Sequence, residues 1–392
     1  MARLKVLVLL AGTMVALGAG MPLAAAAPAG GTSLPPGGQA GASPGWRLVK
    51  YLRACESAAL SVTATGSRDA WTTGQAFLFQ CDGPGLLIAH WDGRTWRELP
   101  PPKEFAGLSR DSSSGTAVAA RSASYSWTFV NRATAPPAER EQSFALLRSG
   151  HRWRAFRLAD GLRVNSARVF SHSDAWAFGT FIGPINAAGP RVYAEHFNGR
   201  NWRPVTAPVT AFDAAFAGPR NIWVVGRVRQ PTPRSPIALV HWTGRWQKPI
   251  LLPASIGPTA AHIWTAWVVP SAHGPWVAVR DWCCREPAAA LLHWTGSRWQ
   301  IIKVPFPTFG LGPLVRDGHG GLWIGSATCP GCDANTIYHY SAGTWSKAPL
   351  NSSRLNLTAM RLIPGTDSVW ASAFGLPHGH GGFIGAVLKY GP

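Results

Sequence analysis

An all-β fold is predicted for this 392-residue sequence: a seven-bladed β-propeller of four-stranded blades, its ring closed by the N-terminal strand. Three observations carry that expectation. A hairpin phrase recurs: "HWDGRTW" at His90 to Trp96, "HFNGRNW" at His196 to Trp202, "HWTGRW" at His241 to Trp246 and "HWTGSRW" at His293 to Trp299. A second phrase, an aromatic followed by small apolar residues, recurs between them. The two ends of the chain also supply complementary fragments of one unit.

The first 26 residues read as a signal peptide. Arg3 and Lys5 make a basic start, Val6 to Ala19 is an apolar run of secretory length, and Ala24-Ala25-Ala26 offers small residues for cleavage. The run is too short and too rich in Gly and Ala to favour a permanent membrane span, an uncleaved anchor being the alternative. Residues 27–43 are mostly Gly, Pro, Ala and Ser, a composition that buries no core and reads as a linker. Residues 44–392 are expected to form one domain.

The first unit shows the pattern. Ala58 to Thr65 is strand A, Ser67-Arg68-Asp69 the turn, and Trp71 to Phe79 strand B. Gln80 to Gly85 is a loop and Leu86 to Trp91 strand C. Asp92-Gly93 closes a tight hairpin, since both residues tolerate positive φ. Strand D, Thr95 to Leu99, stops at Pro100-Pro101-Pro102, which lack the N–H a ladder needs. Aligned on their second Trp, the units fall at Trp96, Trp153, Trp202, Trp246, Trp299 and Trp345, spaced by 57, 49, 44, 53 and 46 residues. The strand-B phrase falls at Trp71, Trp176, Trp223, Trp276, Trp323 and Trp370, with "SSGTAVAA" around Thr116 taken as a degenerate seventh copy. Such a period, with several short strands in each, is the signature of propeller blades. The repeated His and Trp are therefore read as architecture, the large rings filling the wedge between blades.

The last unit, "GAVLKY" at Gly385 to Tyr390, has a strand C and no strand D. "PGWRLV" at Pro44 to Val49 matches "RNWRPV", so the N-terminal strand should complete the blade containing Trp370. Closure of this kind removes two exposed sheet edges.

"DAWAFG … EHFNGRNWRPV" resembles the repeat of secreted actinobacterial propeller proteins, a group near the kelch and galactose-oxidase-like propellers. "GGLWIGS" is similar to the blade strand of regulator-type sensor propellers. The resemblance spans nearly all of residues 44–392 and implies a fold without a reaction. The Gly-His and Trp-Asp pairs of WD40 blades are absent, Asp92 and Gly93 are adjacent where a sialidase Asp-box needs Asp-x-Gly, and no copper-ligand set carries over.

The formal charge is +19, and only seven of the 37 basic residues are Lys. That excess fits a surface for acidic polymers, and equally the Arg-rich usage of a chain also rich in Ala, Gly and Pro. The arginines are scattered, with no run of five. No nucleic-acid partner is expected for an exported protein.

Loops B–C and D–A share one face, and all six cysteines fall there: Cys55, Cys81, Cys283, Cys284, Cys329 and Cys332. An even count in an exported chain points to disulfides, with Cys55 and Cys81 the natural pair; the other four leave local and cross-blade pairing open. The rival reading is a zinc site with Cys329-Pro330-Gly331-Cys332 as one half. His378-Gly379-His380 reads either as a metal-binding pair or as a solvated loop. On the same face, Arg227, Arg229, Arg280, Trp282, Arg285 and Asp333 are the candidate ligand-binding residues, since Arg beside Trp suits anions and sugar rings. The alternative is that Arg280 and Arg285 pair with Asp281 and Glu286. The stretch Asn131 to Gln142 in blade two is expected to be a long B–C loop bordering the same site.

No Gly-x-Ser-x-Gly elbow, His-Glu-x-x-His or P-loop is present, and the 18 acidic residues show no glycosidase pair. No catalytic residue, cofactor or metal is assigned. The expectation is a secreted, monomeric, non-catalytic binding propeller for a carbohydrate, a cell-wall polymer or another protein. A polysaccharide hydrolase or lyase working at the central channel is the alternative.

Overall fold

The computed structural model describes residues 45–52, 57–76, 85–106, 113–133, 141–181, 193–228, 236–256, 263–281, 289–305, 311–326, 336–350, 355–375 and 383–392. They form seven separate four-stranded antiparallel sheets. Strands A to D of blade one are Ser57–Gly66, Asp69–Ala76, Leu86–Trp91 and Trp96–Glu98. Blade two is Ser113–Ser122, Tyr125–Ala133, Glu141–Ser149 and Arg152–Arg157. Blade three is Leu162–Ser171, Asp174–Phe181, Ala194–Phe197 and Trp202–Val205; blade four is Val209–Gly218, Asn221–Val228, Ile237–Trp242 and Ile250–Leu251. Blade five is Ile263–Val269, Trp276–Asp281, Ala289–Trp294 and Trp299–Ile302; blade six is Leu311–Arg316, Leu322–Ser326, Thr336–Ser341 and Thr344–Pro349. Blade seven takes Leu355–Leu362, Val369–Gly375 and Ile384–Tyr390 from the end of the chain and Trp46–Tyr51 from its start. The A strands touch one another in a closed circle and so surround the axis.

Closure is as expected: Trp46 lies opposite Tyr390 and Leu48 opposite Leu388. Two expectations in blade two need correction. "SSGTAVAA" is strand A; the strand-B aromatic is Trp127, from "SYSWTFV". The small residues of Gly115 to Ala120 misled because an innermost strand is apolar on both faces, as a buried B strand is. Asn131 to Gln142 is also not a free loop. The ladder between strands B and C continues through Arg132↔Gln142 to Ala133↔Glu141, and Asn131 is buried, donating from Nδ2 to Ser143 Oγ at 3.0 Å and to Leu162 O at 3.2 Å. Pro136 and Pro137 lie outside the described residues, so they never interrupt the part that pairs.

The recurrent phrases have physical causes. Gly93, Gly199, Gly244 and Gly296 adopt φ between 91° and 95° in the C–D hairpins, where a side chain would be strained. The glycine that ends "DAWTTG", "DAWAFG" and "RNIWVVG" has another reason. Strand A bulges at Leu60, Asn165 and Phe212, and a Cβ on Gly74, Gly179 or Gly226 would collide with the carbonyl of Ala58, Arg163 or Thr210.

The histidine of "HW" sits directly opposite the strand-B tryptophan of its own blade. Ring centroids are 4.2 Å apart for Trp71 and His90, 4.5 Å for Trp176 and His196, 3.8 Å for Trp223 and His241, 4.2 Å for Trp276 and His293, and 4.3 Å for Trp323 and His339. The next residue points to the other side of the sheet, because strand side chains alternate. There it meets the strand-B tryptophan of the preceding blade: Trp242 on Trp176 at 5.2 Å, Tyr340 on Trp276 at 5.7 Å, Tyr390 on Trp323 at 4.4 Å and Trp91 on Trp370 at 5.3 Å. Each B-strand ring is thus clamped between two blades. Where histidine is missing the slot is still filled, by Leu147 opposite Trp127 and Lys389 opposite Trp370.

Strand-D tryptophans reach back the same way. Trp96 packs on Trp370, Trp202 on Trp127 and Trp46 on Trp323, while Trp299 and Trp345 donate their indole N–H to Leu251 O and Lys303 O. The indole N–H groups of Trp71, Trp127, Trp323 and Trp370 find no acceptor among the described residues. An unpaired N–H costs about 1–3 kcal/mol, whereas burying an indole contributes roughly 4–6 kcal/mol, so packing wins. Polar anchors hold the histidines: Nε2 of His90, His196 and His339 donates to Asp69, Asp174 and Asp317 at 2.8, 2.9 and 2.7 Å, and His241 donates to Asn221 at 2.9 Å.

A chain beginning at Leu52 lacks the strand that carries Trp46. It should melt roughly 10 °C or more below the full chain in a circular-dichroism scan; equal melting would contradict closure by this strand.

Candidate binding site in the central channel

The A strands are built from small and apolar residues, so the charged side chains among them stand out. Of the six charged residues in these strands, Arg168 in blade three and Asp213 in blade four both feel the charge of Arg361 in blade seven. Arg168 pairs with Trp176 and Arg361 with Trp370, so they occupy the same level of two blades that face each other across the ring. Asp213 sits at a neighbouring level, opposite Val225. Arg168 is exposed and Asp213 and Arg361 partly so, although protein crowds all three: they line a lumen.

Asp213 is the keystone of this level. One carboxylate oxygen accepts from Ser166 Oγ in blade three and from Ala214 N at 2.8 Å; the other accepts from Val268 N in blade five at 2.9 Å. Burial raises its pKa, against the pull of Arg361 and these hydrogen bonds. Desolvation lowers the pKa of Arg168, and the like charge of Arg361 lowers it further. Bulges next to this level re-aim polar groups between blades: Asn165 Nδ2 donates to Ala211 O at 3.0 Å, and Thr358 Oγ1 to Ala59 O at 2.6 Å.

Nearer the face that bears the B–C loops lie Arg227 and Arg280. Each is four residues beyond its blade's strand-B tryptophan, so the two occupy equivalent places in adjacent blades. Both are half-buried and both have their pKa lowered by burial. Arg227 places its guanidinium 5.8 Å from the Phe212 ring, the residue at the strand-A bulge. The other predicted site residues, Arg229, Trp282, Arg285 and Asp333, lie outside the described residues. So do all six cysteines, His378 and His380. Among the described residues no cluster of three metal-ligating side chains occurs.

The sequence reading named Arg227 and Arg280 as candidates and did not name Arg168, Asp213 or Arg361. A charged residue inside a short strand reads as a solvent-facing position. The usable signal was charge in the innermost strand of a blade, "SARVF", "FDAAF" and "AMRLI", where neighbouring blades leave water access only along the axis.

The site can hold an anion. The Arg168 and Arg361 guanidinium groups lie close enough to act on each other, and Asp213, the carboxylate beside them among the described residues, is committed to three hydrogen-bond donors. Arginine forks in a partly desolvated lumen suit carboxylate or phosphate oxygens. The arrangement offers no paired acids: nothing acidic is among the groups acting on Asp213. Glu195, whose pKa burial also raises, is buried in strand C of blade three and accepts from Ala159 N at 2.6 Å, a partner it does not share with Asp213.

No protein-family profile and no curated protein matches the chain. Solved structures do. One similar in fold is YCF48 bound to a D1 peptide, with TM-score 0.52 and 12% identity over 88% of this chain and 97% of that one. Another is the endosialidase of phage phi92, with TM-score 0.50 and 11% identity over 88% of this chain and 68% of that one. At these identities the likeness concerns the propeller fold alone.

Glu195 yields a pH prediction. Burial raises its pKa from 4.5 to about 7. The folded state then holds a proton that the unfolded state releases above pH 4.5, so stability falls as pH rises toward 7. Glu195→Gln keeps the acceptor for Ala159 N and should remove a loss of up to about 3 kcal/mol. Urea midpoints at pH 5 and pH 8 check this: the wild-type drop should shrink in the variant.

Proposed function

We propose that this chain is an exported, non-catalytic binding propeller that engages an anionic group of a protein or carbohydrate ligand at the mouth of its central channel. The observation that carries this reading is the set of arginines along the axis. Arg168 and Arg361 act on each other with Asp213 as the carboxylate beside them among the described residues, and Arg227 and Arg280 lie in strand B toward the loop-bearing end. Holding like charges together in a desolvated lumen costs stability that an anionic ligand would offset. The fold's similarity to a propeller bound to a peptide supports binding as its use. Export rests on the N-terminal apolar segment and its small-residue end, which are sequence features.

A polysaccharide hydrolase at the same mouth would need two carboxylates at glycosidase separation. The described channel residues supply Asp213, which already serves three donors across blades three to five.

The test is an array of acidic glycans and acidic peptides, read for binding and for cleavage. Arg227→Gln with Arg280→Gln should weaken binding of the best array hit about tenfold, close to 1.4 kcal/mol, with unchanged melting. Cleavage of an arrayed glycan by the wild-type chain would establish the enzyme instead, and unchanged affinity in the double variant would move the ligand elsewhere.

A further inference from the structure

Arginines that look scattered in the sequence are gathered by the repeat. Strands A and B, and strands C and D, join on the face opposite the B–C loops. Neighbouring turns there touch: Arg148 donates to Ala123 O at 3.1 Å, Tyr125 to His172 O at 3.1 Å and His319 to Asp367 at 2.9 Å. In five consecutive blades the C–D hairpin carries one arginine in or beside the turn: Arg94, Arg152, Arg200, Arg245 and Arg298, all exposed. The A–B turns of blades one and four add Arg68 and Arg220, also exposed.

Acids on this face are already used. Asp69, Asp174 and Asp317 bind histidines, and Asp92 pairs with Arg97 at 3.1 Å and caps its own turn. None of the seven arginines pairs with an acid among the described residues. Between blades three and four this face opens into a groove of about 890 Å³, where Arg220 and Arg245 stand beside Asn221, Trp242, His196 and the Asp174 that binds it.

We infer that the turn face of the propeller is a second binding surface, distinct from the channel mouth, that takes a flexible polymer with closely spaced phosphate groups. The chemistry favours that occupant. Every turn cation named is arginine, whose planar fork matches phosphate oxygens. The large exposed hydrophobics among the described residues are Leu251 and Ile301, both on outermost strands and neither in these turns. The surface therefore offers charge with no exposed large hydrophobic to insert into a lipid layer. Repetition over five blades suits a ligand that is itself a repeat, because each added contact is intramolecular once the first has formed.

The experiment titrates the full chain with long-chain inorganic polyphosphate, beside duplex DNA and phosphatidylglycerol vesicles, over a range of salt. Two variants are compared: Arg94, Arg152, Arg200, Arg245 and Arg298 all changed to Gln, and a milder pair, Arg220→Gln with Arg245→Gln. Polyphosphate should bind wild type with strong salt dependence. The five-fold variant should lose at least tenfold in affinity and flatten the log–log salt slope by about three units. The pair should lose about threefold, and it keeps the test alive if the larger variant folds poorly. Lys103→Gln with Lys303→Gln, two exposed cations away from these turns, should bind polyphosphate as wild type does. The inference is overturned if wild type ignores polyphosphate at low salt, if the pair and the five-fold variant bind as wild type does, or if DNA or vesicles bind more tightly than the polymer.

Discussion

The structure depends on one recurrent contact: a strand-B indole held between a residue of its own blade and an aromatic of the next. An isolated four-stranded sheet with two apolar faces has no reason to stay folded in water. Stacking seven of them radially solves that only if the gaps, which widen outward, are filled by something large and rigid. Tryptophan is the side chain that does this with few rotamers to lose. The dipeptide "HW" performs both halves of the task, since successive strand residues face opposite ways. Histidine covers the indole of its own sheet and is pinned by Asp69, Asp174 or Asp317, or by the neutral Asn221 opposite His241. Asp317 shows the balance: burial pushes its pKa up, and hydrogen bonds from His339, His319 N and Gly321 N outweigh that and leave it lowered. The following aromatic then bolts the sheet to its predecessor.

Because the clamp lies between strands B and C, the innermost strands can be rich in small residues. They can bulge, approach glycine backbones closely and aim polar groups at neighbouring blades. The channel chemistry follows from that freedom. Asp213 links three blades, and Arg168 and Arg361 occupy space that small residues around them leave open. The ring also sorts function by face. Turns of two to four residues, forced by Asp-Gly, Asn-Gly and Thr-Gly, present the same position in every blade, so a substitution pattern repeated along the chain becomes an arc in space.

Sequence reading recovered what is periodic. Strand C of blade one, Leu86–Trp91, was placed residue for residue, and closure by the Trp46 strand followed from the missing strand D. It failed where periodicity is weak. In blade two the strand-A run "SSGTAVAA" imitated a B strand because both are apolar, and "NRATAPPAEREQ" looked like a loop because its polar residues are those of a strand end. The channel was illegible for a different reason. Arg168, Asp213 and Arg361 sit far apart in the chain, and only the circular closure of blades three, four and seven brings their charges together. The arc of turn arginines was visible residue by residue, in "DGRTW" and "NGRNW", but its meaning needed the knowledge that all those hairpins share a face.

The inter-blade clamp can be measured directly by a double-mutant cycle on Trp176 and Trp242, whose rings lie 5.2 Å apart in blades three and four. Each is changed to Ala singly and together, and unfolding free energies are taken from urea titrations, with Trp176 and Trp294 as a pair that does not touch. The clamp predicts a coupling of about 1 kcal/mol or more for the first pair and additivity for the second. Additivity in both would contradict it and would leave the blades held by strand-A hydrogen bonds alone.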